Sequence, residues 1–244
     1  MRNRQITWIS ADDPPQAFPP AQRALGEPDG LLAAGGDLTA ERLLYAYRHG
    51  IFPWYDEGQP ILWWSPDPRC ILPRCGFHLS RRMRRALRRS DAVITFNRDF
   101  DAVIDACARP RRSQQGTWIT ADMQRAYQHL HRLGWAHSIE IWDDGRLTGG
   151  VYGLAIGKAF FGESMFSRDE NASKFALHCL CEILWPAGFL MLDCQVVSQH
   201  LLTLGAVSVS RDTFLKQLDI ACDVAAPFRD WPEKSLKIQQ FAPK

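Results

Sequence analysis

Two short runs hold the residues most able to do chemistry. In FLMLDCQ (189–195) a carboxylate and a carboxamide stand two positions apart, and the two-residue period of a strand puts Asp193 and Gln195 on one sheet face. An aspartate flanked by Met191, Leu192 and Cys194 costs free energy unless it is paired or put to use. Residue type alone leaves two readings open: a functional pair at the end of a strand, or an aspartate capping a helix that begins near residue 198. In FFGESMFS (160–167) Phe161, Glu163 and Met165 are expected to point one way and Phe160, Gly162 and Ser164 the other. Periodicity reads Glu163 first as an exposed edge carboxylate and second as an active group. Gly162 suggests that a backbone or a ligand passes close to the strand.

Charge gives a further signal. The 244-residue chain carries a formal net charge of only +2, yet residues 69–112 hold twelve arginines against four aspartates, so the remainder is acidic overall. Within that stretch, SRRMRRALRRS (80–90) has six arginines and no acid. A solvated helical face normally mixes signs, and the planar guanidinium fork matches phosphate oxygens, so a phosphate-bearing partner is expected. Backbone contacts carry no base information and do not separate DNA from RNA. Trp54, Trp63, Trp64 and Trp118 are candidates to stack on an unpaired base, which favours a single-stranded end over a duplex; core packing is the competing fate of each.

A scaffold must position these groups. The first part of the chain is rich in turn formers (DDPPQAFPP, GEPDG, GGDLT), with one helix, AERLLYAYRH, capped by Asp37 or Thr39 and stopped by Gly50. IFPWYDEGQPILWWSPDP reads as an ordered aromatic loop or short strands. Ser80 caps the arginine helix, on which Arg81, Arg85 and Arg88 share a face with Arg82 and Arg89 beside them. A short strand VITFN precedes amphipathic helices over 99–108 and 120–134, the second capped by Thr120 and closed by Gly134. HSIEIW, RLTGGVYGLAI and AFFGESMF read as an antiparallel meander. A capped helix follows over 171–185, then the strand 189–195, a short helix over 198–206 and a strand over 207–210. Helices on a mixed sheet give an α+β class, with a small N-terminal domain (1–67) ahead of a larger one (68–244).

Composition removes several classes. Hydrophobic content of 46% and charged content of 23% exclude disorder as the main state. No run reaches the roughly 18 apolar residues of a membrane-spanning helix, and MRNRQITWISADDPP lacks an apolar secretory core, so no membrane association and a cytoplasmic address are expected. Seven cysteines without CxxC pairs read as reduced thiols, and seven scattered histidines offer no ligand spacing, so no metal is expected.

The blocks GLLAAGGDLT, GIFPWY, ILWWSPDPR, GTWIT, HSIEIW, GGVYGLAIG, FFGESMFS, NASK, DCQ and HLLTLGA together resemble the leucyl/phenylalanyl-tRNA–protein transferases over about residues 28–215. That resemblance implies an enzyme moving Leu or Phe, and less well Met, from aminoacyl-tRNA to the N-terminal Arg or Lys of proteins, marking them for degradation. It implies a C-terminal domain similar to the Gcn5-related acetyltransferase fold; a monomer is expected. By motif it makes Asp193 and Gln195 a catalytic pair and Glu163 an active-site glutamate. Trp54 and Trp118 fall at the tRNA end, and Arg81, Arg82, Arg85, Arg88 and Arg89 in the tRNA-binding cluster. Met165, Leu177, Leu180, Leu184 and Val151 fall in a pocket for the transferred side chain. The acetyltransferases' pyrophosphate loop, Arg/Gln-x-x-Gly-x-Gly/Ala, is missing; SRDENASK stands between strand and helix, which argues against coenzyme A, and no cofactor is expected.

An aminoacyl ester is already activated, and an α-amine of pKa near ~8 is partly neutral at cytoplasmic pH, so no covalent enzyme nucleophile is required. Bringing amine and ester together would supply ~7–11 kcal/mol, and proton removal a further ~100- to 10,000-fold. Asp193 is expected to accept or relay the amine proton, Gln195 to orient the amine, and Glu163 to hold the positive acceptor or the donor's amino group. Two other readings stay open: a coenzyme-A-dependent N-acetyltransferase and a non-enzymatic RNA-binding module. The missing loop weighs against the first, and the polar pair of strand 189–195 against the second.

Overall fold

The computed structural model describes residues 6–109, 119–224 and 226–243. Four short strands, β1 (Thr7–Ile9), β2 (Leu31–Gly35), β3 (Phe52–Pro53) and β4 (Leu62–Trp64), form a small sheet in the order β1-β2-β4-β3. Between β2 and β3 runs α1 (Ala40–Arg48), which stops where Gly50 adopts φ +73. Thr39 sits at the N-cap of α1 without a side-chain cap bond; Asp37 accepts instead from the Thr39 N–H at 2.8 Å. A turn-rich reading of this region misses β1 and β2. Ala33, Ala34 and Gly35 lack the β-branched and aromatic side chains by which strands are recognised.

The chain continues through β5 (Arg69–Pro73), α2 (Arg81–Arg89), β6 (Val93–Phe96), α3 (Phe100–Ala108), α4 (Ala121–Arg132), β7 (Ala136–Asp143), β8 (Arg146–Ile156) and β9 (Ala159–Ser167). Then come α5 (Ala172–Leu184), β10 (Met191–Gln195), α6 (Gln199–Thr203), β11 (Val207–Val209), α7 (Arg211–Ala221) and β12 (Leu236–Lys237). Eight strands make one mixed sheet in the order β11-β5-β10-β9-β8-β7-β6-β12. β7, β8 and β9 are the expected antiparallel meander, β10 joins β9 in parallel after crossing through α5, and β5 lies antiparallel on β10. The class is α+β.

Alternate residues along these strands feed two cores, one on each face of the sheet. Tyr152, Leu154, Phe161 and Met191 pack with residues of α1, α3, α4 and α7; Val151, Ala155, Phe160 and Leu192 pack with residues of α2 and α5. Ser80, Asp99 and Thr120 cap α2, α3 and α4 by accepting from the N–H of Met83, Ala102 and Met123 at 3.2, 3.0 and 3.3 Å. The start of α5 departs from expectation: Asn171 occupies its N-cap with φ +66 and makes no side-chain cap bond. The sequence reading also passes over α7, although Ser210 caps it through the Thr213 N–H at 3.2 Å and Phe214, Leu218 and Ala221 line one face. No helix among the described residues is long and apolar enough to cross a membrane.

Candidate active site

Asp193 and Gln195 end β10, an interior strand between β5 and β9. Strict alternation fails there, because the ladder to β5 shifts between Asp193 and Gln195 and Gln195 adopts φ +62. A second irregularity lies beside it. β9 pairs Gly162 with Gly153 and Ser164 with Tyr152, so Glu163 is one residue extra against β8. Such bulges re-aim side chains. Gly153 makes this one possible, since a Cβ there would stand 2.1 Å from the Phe161 carbonyl oxygen. The slip also carries Met165 to the core of Phe160 rather than that of Phe161, against the expected pattern. Glu163 is no edge carboxylate: it is 8% exposed on an interior strand. Gly162 reflects no unusually close approach, because a Cβ there would meet Asp193 O and Leu192 at an ordinary 3.5 Å.

Helices from beyond the meander close over Glu163. The Tyr47 hydroxyl, from α1, lies 2.7 Å from Oε1; the Tyr127 hydroxyl, from α4, lies 2.9 Å from Oε2; and the two hydroxyls bond each other. Gln195 Nε2 donates to Oε1 at 2.7 Å. Burial pushes the Glu163 carboxyl up to about 7; the Tyr47 and Tyr127 bonds hold it down, the Asp193 charge adds to the rise, and the Gln195 bond opposes it. Burial, reinforced by Glu163, drives both phenols well above their ordinary range.

Asp193 is fully buried and wholly engaged. Arg69 Nε donates to Oδ1 at 2.9 Å and Nη2 to Oδ2 at 2.6 Å, while Oδ1 also accepts the Gln195 backbone N–H at 2.9 Å. Arg69 is held in turn, with Nη1 on the Gly50 carbonyl at 3.1 Å and its guanidinium over the rings of Phe52 and Phe214 at 4.7 and 4.5 Å. A charge pair this deep persists only with such complete satisfaction. Ser198, not Asp193, caps α6, accepting from the Leu201 N–H at 3.2 Å.

Glu163 and Gln195 open onto a cleft of about 270 Å³ whose lining includes Phe52, Trp54, Cys194 and Val197. Trp54 is 41% exposed at this cleft and tilts against Trp64, with ring centroids 5.8 Å apart. Trp63 is a core residue with its Nε1 on the Gly35 carbonyl at 2.9 Å. Trp118 lies outside the described residues. Val151, Leu177, Leu180 and Leu184 are buried together in the core of Phe160, and Met165 packs against them. That cluster lies across the sheet from Tyr47 and Tyr127, and Cys194 borders both it and the cleft.

The basic surface is separate. Arg81, Arg84, Arg85, Arg88 and Arg89 line a concavity of about 400 Å³ along α2, whose Met83 and Leu87 anchor the helix to the core. Arg82 does not join them; its Nη2 pairs with Glu170 at 2.6 Å. Arg84, not singled out in the sequence, takes that place, with its Nε donating to the Leu79 carbonyl at 3.0 Å.

Tyr47, Tyr127 and Arg69 build the site yet go unmarked in the sequence reading. For the tyrosines a signal existed, a hydroxyl on an otherwise apolar helix face: Tyr47 with Leu43, and Tyr127 with Met123 and Leu130. Arg69 has no local signal. It is one of twelve arginines in its stretch, and only the pairing of β5 with β10 brings it to Asp193.

The profile of the leucyl/phenylalanyl-tRNA protein transferases matches residues 71–219, and that of their N-terminal domain matches residues 36–67. A leucyl/phenylalanyl-tRNA–protein transferase of Pseudomonas fluorescens (strain Pf0-1) is 55% identical over 87% of this chain and 93% of its own length. One of Pseudomonas aeruginosa (strain PAO1) is 54% identical over 93% and 96%. A solved ribosomal-protein-alanine N-acetyltransferase from Brucella melitensis biovar Abortus 2308 aligns over 59% of this chain and 96% of its own, at 14% identity and a TM-score of 0.35, too low to carry weight. The class is that of an aminoacyltransferase enzyme. Within that class, the chain belongs to the leucyl/phenylalanyl-tRNA protein transferase family.

Proposed function

We propose that the cleft at Glu163 and Gln195 transfers Leu or Phe, and less well Met, from aminoacyl-tRNA to the N-terminal Arg or Lys of acceptor proteins, marking them for degradation. The observation that carries this is the fixed carboxamide. Gln195 Nε2 is committed to Glu163 at 2.7 Å, so the Gln195 carbonyl oxygen is the group left to receive an amine N–H. In the transfer the neutral amine nitrogen bonds the ester carbonyl carbon, the ester C–O bond breaks, and the amine's proton ends on the departing ribose hydroxyl of the tRNA. The ester needs no further activation, so orienting the amine against it is the main task, worth up to about 7–11 kcal/mol.

Asp193, with both oxygens taken by Arg69 and the Gln195 N–H, serves as a positioning residue that holds the bend at Gln195 rather than as the group that takes the amine's proton. Glu163 orients the carboxamide from the other side. Trp54, together with Trp118, offers a face to the terminal adenosine of the tRNA, a stack worth about 1–3 kcal/mol. Arg81, Arg84, Arg85, Arg88 and Arg89 hold the tRNA backbone, and Arg82 contributes less because Glu170 already pairs it. Met165, Leu177, Leu180, Leu184 and Val151 shape the apolar side of the donor's pocket, reached past Cys194. We assign 1–67 and 68–244 as two domains, a division supported by the two separate sheets. A cytoplasmic monomer working without cofactor or metal completes the reading.

The test is transfer of labelled Leu or Phe from charged tRNA to peptides that differ only in their first residue. Transfer to Arg- and Lys-initiated peptides, and not to one beginning with Ala, is expected. Transfer that ignores the first residue, or an acetyl-coenzyme A requirement, overturns the proposal.

A further inference from the structure

Glu163, Tyr47 and Tyr127 meet in three mutual oxygen–oxygen contacts: Tyr47 to Oε1, Tyr127 to Oε2, and hydroxyl to hydroxyl. Each of these is a hydrogen bond only if one proton lies in it. Two neutral phenols bring two protons. An ionised Glu163 brings none, and with both phenols donating to it the contact between the two fully buried hydroxyls would set lone pair against lone pair, where an unsatisfied polar group is most costly. A neutral Glu163 supplies the missing proton, and the three groups then close head to tail. Oε2–H donates to the Tyr127 oxygen, Tyr127 O–H to the Tyr47 oxygen, and Tyr47 O–H to Oε1. Oε1 is thereby the carbonyl oxygen, and it also accepts one Gln195 Nε2–H, so each of the ring's three protons lies in one of the three contacts.

We infer that Glu163, Tyr47 and Tyr127 form a closed ring holding three protons, with Glu163 a neutral acid in the resting site, and that the two tyrosines are positioning residues that govern when it ionises. The surroundings agree. From β8, Tyr152 packs edge-on against the Tyr127 ring with its hydroxyl in electrostatic reach of Glu163; that hydroxyl is buried and has no hydrogen-bond partner among the described residues. From β10 Glu163 meets Asp193, whose negative charge opposes a second one and is already matched by Arg69 of β5. No described cation bonds Glu163. Burial holds the carboxyl up near neutrality, at about 7, while it keeps all three phenols far above their ordinary range, so the carboxyl is the member that changes proton count at working pH.

Ionisation is then simple to write. The Oε2–H bond breaks, one proton passes to solvent, and both phenols donate to the carboxylate while their mutual bond is lost. Only after that step does the cleft carry a negative group able to pair with an incoming ammonium. This consequence rests on the proposed role of the cleft; the proton count does not.

Infrared difference spectra of the full chain, wild type minus Glu163→Gln, test the count without any substrate. Gln keeps a donor and an acceptor at the same positions, so the variant is expected to fold. At pH 6 a protonated-carboxyl carbonyl band is expected, fading as pH rises to 8. Tyr47→Phe and Tyr127→Phe each take one oxygen out of the ring and should move the midpoint of that fading by about one unit. Absence of the band at pH 6, or a midpoint indifferent to both tyrosine changes, overturns the inference. Should either Phe variant fail to fold, the wild-type band alone decides. A loss of the band leaves the transfer assay untouched, and a failed transfer assay leaves the band untouched.

Discussion

The arginine face of α2 and the polar cluster behind the cleft hold charge in opposite ways. On α2, five arginines line an open concavity without an acid among them, and their charge stays available to a partner. Behind the cleft the polar groups are engaged internally: the charges of Arg69 and Asp193 are clamped to each other, and Glu163 is enclosed by Tyr47, Tyr127 and Gln195. Exposed like charges repel weakly through water and cost the fold little, whereas a buried charge must be matched atom for atom. Binding and chemistry are therefore expected to separate cleanly under mutation.

The largest effect falls on Arg69. Arg69→Met leaves the Asp193 carboxylate buried and unpaired and should destabilise the protein by about 3–5 kcal/mol in urea unfolding. Asp193→Asn strands the Arg69 cation in the same way, so its effect on stability precedes any effect on transfer. If either variant unfolds at the wild-type midpoint, Asp193 is not the anchor described above.

Next in size is a pH effect. The folded carboxyl of Glu163, raised by burial to about 7, lies above its unfolded value of ~4.3, so between those values the folded state holds a proton that the unfolded state has lost. Its contribution is fully present below pH ~4.3 and is lost as pH rises through about 7, roughly 4 kcal/mol in all. Glu163→Gln should abolish that part of the stability–pH curve. An unaltered curve would show that Glu163 titrates normally.

Changes on α2 should spare stability and act on affinity. Replacing Arg81, Arg84 and Arg85 by Gln should weaken tRNA binding and reduce its salt slope by about 0.7–0.9 for each phosphate no longer neutralised, with an unchanged melting temperature. The smallest effect belongs to Arg82→Ala, which removes only the exposed pair with Glu170 and should alter neither stability nor the salt slope as much as Arg85→Ala does. Equal slopes for the two variants would erase the distinction drawn between them.

The same contrast explains what could be read from the sequence. Contiguous signals were legible: the Ser80-capped arginine helix, the meander of β7 to β9, the amphipathic α3 and α4, and the polar residues of DCQ and GESMF. Their environment was not. Glu163 reads as an edge carboxylate because β9 becomes interior only when β10 returns parallel to it across α5. Met165 changes faces because of a bulge at Glu163, and that bulge depends on a glycine in the neighbouring strand. Arg69 and Asp193 are 124 positions apart, and no local pattern links them. Tertiary pairing decides such cases, and periodicity within one strand does not.

The central claim is that Gln195 orients the reacting amine while the tRNA is held elsewhere. Single-turnover transfer by Gln195→Ala, at saturating charged tRNA and saturating Arg-initiated peptide, tests it most directly. The rate is expected to fall about 100-fold while the Kd for tRNA stays within error of wild type. A near-normal rate, or a lost rate accompanied by lost tRNA affinity, would contradict it.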